Sequence, residues 1–232
     1  MENPIVICLD FYGLPGSGKS TISHLVAEKL RIKTIVVEPS YHLDHSFKAG
    51  GRFIRKCLKT LSLLLRCPRV FFSVNKVIKT CGYNCFCKDF YIHLLNISYK
   101  VGVLRNPPKG YVVFDQGLWQ SVISLFYRKE DLSLIIYTYD HLRSLANPAI
   151  RFVDIYIQVG TGDAIERMDS RNAAISRVQL LSEVERIAEL DKLLEIMDGL
   201  PSPRIVVDSS HNDVKSCVNY LINNLNTSIK KM

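Results

Sequence analysis

One short run constrains the fold of this 232-residue chain more than any other feature. Residues 13–20, Gly-Leu-Pro-Gly-Ser-Gly-Lys-Ser, fit the pattern G-x-x-x-x-G-K-[ST], whose backbone amides cradle the phosphates of a nucleotide. The apolar residues 5–9 before this run are typical of a buried parallel strand, and residues 21–30 after it carry apolar side chains at helical spacing. The sequence therefore predicts a strand, a phosphate-binding loop and a helix in succession.

Each position of this loop, residues 13–20, has a physical role in phosphate binding. We expect the glycines to let the backbone turn tightly enough for successive amide hydrogens to face the phosphates. The Lys19 ammonium would bridge the outer phosphates, and the Ser20 hydroxyl would bind the accompanying Mg²⁺. The alternative, a glycine-rich turn without a ligand, fits the flanking strand and helix less well. The predicted nucleotide-binding residues are Gly13, Pro15, Gly16, Ser17, Gly18, Lys19, Ser20 and Thr21.

The positive charge of the chain is concentrated in one segment. The formal net charge is +8, and residues 48–109 contain thirteen Lys or Arg but one acid, Asp89. Within them, residues 52–66 have the pattern of an amphipathic basic helix. We interpret residues 1–232 as a single domain in which 48–109 form an inserted basic helical lobe. The lobe could lie near an anionic substrate, contact anionic lipid through residues 51–79, or bind nucleic acid, although nothing specifies base recognition.

The cysteines and the N-terminus bear on the compartment. Three of the seven cysteines, Cys81, Cys85 and Cys87, follow the spacing C-x3-C-x-C, which lacks the C-x2-C pairs of zinc sites. Reduced, buried thiols are therefore favoured over a metal site, which stays open. The chain has no run of eighteen apolar residues and no basic leader before the first strand. These features favour a cytoplasmic protein that is at most peripheral to a membrane.

The remaining hydrophobic pattern predicts an α/β fold. Short apolar runs at 5–9, 34–38, 111–115, 152–159 and 204–208 alternate with helical patterns. Such alternation is typical of a parallel sheet with helices on both faces, in which ligands bind at the carboxyl ends of the strands. We therefore expect the chemistry to gather near the loop, near Glu38 and Asp115, and after the fourth strand.

A phosphate-binding loop serves many functions, so other residues must distinguish among them. The chain lacks the Asn-Lys-x-Asp motif of guanine nucleotide switches. Gln116 follows Asp115 at a position where motor and transporter ATPases usually carry a glutamate that activates water. Both observations disfavour hydrolysis as the reaction.

Phosphoryl transfer requires an acid that holds Mg²⁺ or accepts a proton, and arginines that stabilise the transferred group. Glu38 and Asp115 provide the acid. Arg167, Arg171 and Arg177, which follow the fourth strand, provide the arginines. The alternative is an exposed helix whose arginines pair with neighbouring acids.

With these motifs the chain resembles the nucleoside and nucleotide kinases of the thymidylate kinase and deoxynucleoside kinase superfamily. Glu38-Pro39 resembles their Glu-Pro element, and Asp115 stands where they carry an Asp-Arg or Glu-Arg pair. The three arginines resemble their lid arginines, and residues 206–210 resemble the last strand and loop beside adenine. The resemblance implies a P-loop three-layer sandwich with a five-stranded parallel sheet in the order 2-3-1-4-5. It also implies inserted helices between strands 2 and 3, with ATP and Mg²⁺ as the donor.

Two departures from that family bear on the substrate. Gln116 replaces an arginine, and Pro15 makes the loop resemble that of adenylate kinases, so thymidylate is disfavoured. The resemblance implies that Glu38 accepts the proton of the substrate hydroxyl, while Asp115 is the alternative base or binds Mg²⁺ together with Ser20.

We expect a phosphotransferase that acts on a nucleoside or nucleotide, and a homodimer stays open. The alternatives are a nucleotide-binding regulatory protein docked on a membrane surface, or a kinase of a sugar or antibiotic hydroxyl.

Overall fold

A parallel sheet lies at the centre of the computed structural model, which describes residues 6–30, 58, 61, 68–80, 88–126, 131–170, 177–201 and 204–230. Its strands are β1 (Val6–Gly13), β2 (Tyr111–Phe114), β3 (Ile150–Gln158) and β4 (Ile205–Asp208). They lie in the order β2-β1-β3-β4, and every pairing is parallel. β1 therefore lies between β2 and β3, and the carboxyl ends of all three strands lie at the same edge of the sheet.

Helices connect the strands and are amphipathic or buried according to their place. Those in the described part of the chain are α1 (Lys19–Lys29), α2 (Pro68–Thr80), α3 (Lys88–Arg105), α4 (Leu118–Phe126), α5 (Leu132–Ser144), α6 (Thr161–Asp169), α7 (Glu183–Asp198) and α8 (Val214–Lys230). A short 3₁₀ helix, Arg177–Leu180, precedes α7. Ser182 caps α7, because its hydroxyl accepts from the Glu185 amide while the Glu185 carboxylate accepts from the Ser182 amide.

Apolar side chains cover both faces of the sheet. Leu9 and Phe11 of β1 and Ile155 of β3 belong to a core that includes residues of α1 and α8. Tyr12 and Tyr156 belong to a second core, formed with α2 to α7. Successive side chains of a strand point to opposite faces, so a sheet covered on both sides needs nearly continuous apolar strands. The predicted α/β arrangement with helices on both faces is confirmed.

The strand prediction is only partly confirmed. The described sheet has four strands in the order β2-β1-β3-β4, not five in the order 2-3-1-4-5. The four match the first, third, fourth and fifth predicted strands and adjoin one another as predicted. The predicted strand at 34–38 lies outside the described residues, as does most of the basic helix predicted at 52–66. β1 also continues to Gly13 instead of ending at Leu9, because Asp10, Phe11 and Tyr12 keep pairing with β3.

The described residues of the inserted basic segment are helical up to Arg105, as predicted. Val74 and Ile78 of α2 and Ile97 and Val101 of α3 are fully buried in the second core. The basic residues there lie on the exposed side, except for Lys100, which is 1% exposed. The division of the chain into a single domain with an inserted lobe stays a prediction.

The described residues bear on the predictions about cysteines, metal binding and the membrane. Cys8 and Cys217 are buried free thiols, and burial raises the pKa of both. The three cysteines at 81, 85 and 87 lie outside the described residues. Within the described ranges, no cluster of three or more His, Cys, Asp or Glu could hold a metal ion. None of the described helices is long and apolar enough to cross a membrane.

Phe11 lies in the sheet core and Phe72 on the surface of α2, so we expect their substitution by alanine to change the free energy of unfolding by different amounts. Phe11 is fully buried, so Phe11→Ala should lower the free energy of unfolding by about 3–5 kcal/mol. Phe72 of α2 is 66% exposed, so Phe72→Ala should change it by no more than about 0.5 kcal/mol. Urea unfolding measures both values, and equal losses would contradict this packing.

Candidate functional site

The predicted phosphate-binding loop turns around its own lysine. The Lys19 ammonium donates to the carbonyl oxygens of Gly13 and Leu14 at 2.9 and 2.7 Å, and to the Ser17 hydroxyl at 3.5 Å. The Ser17 amide donates back to the Leu14 carbonyl at 3.1 Å. The loop ends at the N-terminus of α1, where backbone amides and the helix dipole favour an anion. The local geometry therefore suits a phosphate chain.

Close packing explains one glycine of the loop. Gly16 has φ 88°, in the left-handed region that side chains disfavour. A Cβ there would also lie 2.5 Å from the Ala164 carbonyl oxygen in α6. The loop thus contacts the backbone of α6 directly. A larger residue at position 16 would push the loop away from it.

Ser20 and Asp115 come together although they are 95 residues apart in the chain. The Ser20 hydroxyl donates to Asp115 Oδ2 at 3.3 Å, and Asp115 Oδ1 accepts from the Gln116 amide at 2.9 Å. Asp115 directly follows β2, the neighbour of β1, and is 2% exposed. The sheet thus places a hydroxyl and a carboxylate, both ligands that Mg²⁺ prefers, beside the loop.

A buried lysine, Lys100, and a buried acid, Asp10, lie behind the turn after Asp115, and neither was predicted from the sequence. The Lys100 ammonium donates to the carbonyl oxygens of Gln116 and Gly117 and to the Ser121 hydroxyl. Asp10 Oδ2 accepts from the Leu118 amide at 3.0 Å. A charge inside an apolar strand and another on the apolar stripe of α3 were the available signals.

Two acids inside the strands, the fully buried Asp10 and the partly buried Asp154, have raised pKa values. Burial, reinforced by the charge of Asp154, raises the pKa of Asp10 to about 8, although Lys100 and backbone amides oppose this shift. Burial also raises the pKa of Asp154, against the Tyr139 hydroxyl, which donates to Asp154 at 2.7 Å. The Arg143 guanidinium lies 3.9 Å from the same carboxylate. Asp10 contacts the turn that follows Asp115, and Asp154 is its register partner in β3.

An aromatic stack supports both the loop and α4. The rings of Tyr139 and Trp119 stack with centroids 3.5 Å apart, and those of Tyr12 and Tyr156 stack at 5.2 Å. Trp119 and Tyr12 connect the two pairs at 6.2 Å. Tyr12 directly precedes the loop, whose first amide, that of Gly13, donates to the Gln120 side chain of α4. The start of the loop is therefore fixed against a rigid core.

Arg167 is near the loop but is bonded through a serine. Its guanidinium donates to the Ser209 carbonyl at 2.6 Å and to the Ser209 hydroxyl at 3.3 Å. That hydroxyl lies 3.0 Å from the carbonyl oxygens of Ser17 and Gln158. Ser209, which follows β4, thus joins α6, β3 and the loop. The resemblance placed residues 206–210 beside adenine, but the sequence does not predict this link between Ser209 and the loop.

The structure describes the backbone of one of the other three residues predicted to take part in phosphoryl transfer, Arg177. Glu38 and Arg171 lie outside the described residues. Arg177 begins the 3₁₀ helix, whereas a loop was predicted there. Asp169, an acid between Arg167 and Arg171 in the sequence, is paired with Arg186 at 2.6 Å.

Solved structures of kinases share this architecture. A deoxyadenosine kinase from M. mycoides, solved with bound dATP, is 20% identical, with a TM-score of 0.52 over 96% of this chain and 100% of that one. The same kinase with bound dCTP gives 0.50 at 20% identity over 95% and 99%. A thymidylate kinase from Candida albicans is 14% identical, with a TM-score of 0.53 over 97% and 92%. Comparison with protein-family models and with curated proteins gives no match. The chain thus has the fold of P-loop nucleoside and nucleotide kinases, as the resemblance implied.

The raised pKa of Asp10 predicts how stability depends on pH. The unfolded chain loses this proton near the ordinary value of 3.8 and the folded chain near 8, so the wild-type protein loses stability as pH rises between them. Asp10→Asn cannot ionise and keeps an acceptor for the Leu118 amide. Its stability relative to wild type should therefore increase from pH 5 to 8, by at most about 1.4 kcal/mol per pH unit. Urea unfolding across this range tests the prediction, and parallel pH profiles would contradict it.

Proposed function

We propose that this chain is an ATP- and Mg²⁺-dependent phosphotransferase that moves the terminal phosphate of ATP onto a nucleoside or nucleotide. The observation that carries the proposal is the contact between Ser20 and Asp115 beside the loop of residues 13–20. This contact supplies oxygen ligands for a cation, and the adjacent loop supplies backbone amides for an anion. A nucleotide and its metal ion require both. The acceptor class is supported by the fold, which deoxyadenosine and thymidylate kinases share.

The residues present fit Mg²⁺. It prefers oxygen ligands, and Asp115 presents a carboxylate to the Ser20 hydroxyl in a nearly dry position. Bound there, the ion would neutralise charge on the phosphate oxygens. Asp115 Oδ1 is engaged with the Gln116 amide and Oδ2 with Ser20, which supports a metal-binding role for Asp115 over that of the base.

The loop would bind the phosphates through its backbone and Lys19. Phosphate oxygens are stronger acceptors for an ammonium than neutral carbonyl oxygens are. We expect phosphate oxygens to replace the Gly13 and Leu14 carbonyls as partners of Lys19. The backbone amides at the N-terminus of α1 would face the same anion. Thr21 and Pro15 flank these donors and would shape the loop.

The proton and the developing charge are assigned to other residues. Glu38 would accept the proton of the acceptor hydroxyl, which leaves Asp115 to the metal. Arg167 is engaged with Ser209, so we assign it to support of the loop. Arg171 or Arg177 would then stabilise the transferred group.

Lys19→Ala tests this proposal directly. Terminally labelled ATP and Mg²⁺ are offered with a panel of nucleosides, nucleoside monophosphates and sugars. The wild-type protein should label one acceptor class, and Lys19→Ala should reduce transfer by about 10²- to 10³-fold because a donor to the phosphates is lost. Lys29→Ala is the matched control, since Lys29 lies at the exposed end of the same helix and bonds to Asn219. Full activity of Lys19→Ala would contradict the proposal.

Gln116 supports one alternative that the same assay detects. It replaces the arginine of the family, and ATP binding without any labelled product would favour a nucleotide-binding regulatory protein. Sedimentation with anionic liposomes then tests membrane docking, which charge reversal at Arg52, Arg55, Lys56 and Lys59 should abolish. Labelled sugar would instead change only the acceptor.

A further inference from the structure

One lysine of the basic segment is buried instead of facing solvent. Lys100 of α3 is 1% exposed, whereas the other basic residues of residues 48–109 whose side chains the structure describes are exposed: Arg69, Lys76, Lys79, Arg105 and Lys109. A buried ammonium is costly unless its charge and its hydrogens are satisfied. Lys100 is therefore not part of the surface charge that would attract an anionic substrate or lipid, and its burial needs another explanation.

The contacts of Lys100 supply that explanation. An ammonium has three hydrogens to donate, and the contacts of Lys100 include three acceptors. These are the carbonyl oxygen of Gln116, the carbonyl oxygen of Gly117 at 3.1 Å and the Ser121 hydroxyl at 2.5 Å. Two of the three belong to the turn that directly follows Asp115. Lys100 thus reaches from the inserted segment to the backbone beside the predicted metal ligand.

β1 holds the same turn from its amide side. The Gly117 amide donates to the Phe11 carbonyl at 2.8 Å, and the Leu118 amide donates to Asp10 Oδ2 at 3.0 Å. The approach is so close that a Cβ on Gly117 would lie 1.3 Å from Asp10 Oδ1. The carbonyls and the amides of the turn are therefore both fixed by buried groups.

We propose that Lys100 and Asp10 are positioning residues that orient Asp115 for Mg²⁺. Asp115 Oδ1 accepts from the Gln116 amide at 2.9 Å, and its other oxygen reaches Ser20. Rotation of the peptides after Asp115 would move that amide and with it the carboxylate. The clamp of Lys100 and Asp10 prevents this rotation. The inference rests on the proposed function, which assigns Mg²⁺ to Asp115, and it gives the inserted segment a role in the metal site.

The test compares ATP affinity with Mg²⁺ and with EDTA by titration calorimetry. In Lys100→Met the ratio of the two affinities should fall by about 10- to 100-fold, as for other residues that orient metal ligands, while the affinity in EDTA stays unchanged. Asp115→Asn should show the same loss. The double variant Lys100→Met with Asp115→Asn should lose no more of this ratio than either single variant, because Lys100 acts through Asp115. A general loss of stability would not separate the two conditions.

Two further variants control for folding. Lys100→Met deprives the buried Asp10 of its cation, so the neutral pair Lys100→Met with Asp10→Asn is measured beside it and should show the same loss. Ser98→Ala changes another buried residue of α3 and should keep the wild-type ratio.

The outcomes separate this inference from the function on which it rests. If Lys100→Met and the neutral pair keep the wild-type ratio while Asp115→Asn loses it, the positioning role is overturned and the proposed metal site stands. Multiplied losses in the double variant would likewise overturn it. If Asp115→Asn keeps the ratio, or wild-type affinity is independent of Mg²⁺, the proposed metal site itself fails and the inference with it.

Discussion

The pairing of β1 with β2 is the constraint on which the site depends. These strands run parallel in the register Asp10 to Phe114, so the loop after one and the acid after the other emerge at the same edge of the sheet. The Ser20 to Asp115 contact follows from this register. A slip of one residue would turn the β2 side chains to the opposite face and move Asp115 away.

The same edge contains features that cost stability. Asp10 and Asp154 are ionisable groups inside strands, where burial opposes their charged forms and raises the pKa of each. Replacing such a cluster by apolar residues often leaves a fold as stable or more stable. Asp10 of this cluster contacts the turn after Asp115, so the cost falls on a residue that holds the site. The loop makes a similar demand, since Gly16 packs against the Ala164 carbonyl without room for a Cβ.

Sequence patterns predicted the elements better than their connections. The loop motif and the strand periodicity are local, so they indicated the fold and the meeting of Ser20 with Asp115. Lys100 was read as one more charge in a basic segment, because periodicity does not reveal that α3 presents it to a turn sixteen residues away. Ser209 was missed for the same reason, since its link to the loop joins residues 192 apart. The predicted first strand ended before Asp10, and an acid is unusual within a buried strand.

A crystal structure with Mg²⁺ and a nonhydrolysable ATP analogue is the most direct test of the central claim. The account predicts phosphates along the amides of residues 13–20, Lys19 turned from the loop carbonyls onto phosphate oxygens, and Mg²⁺ beside Ser20 and Asp115. A nucleotide bound elsewhere, or a metal ion remote from Asp115, would contradict it.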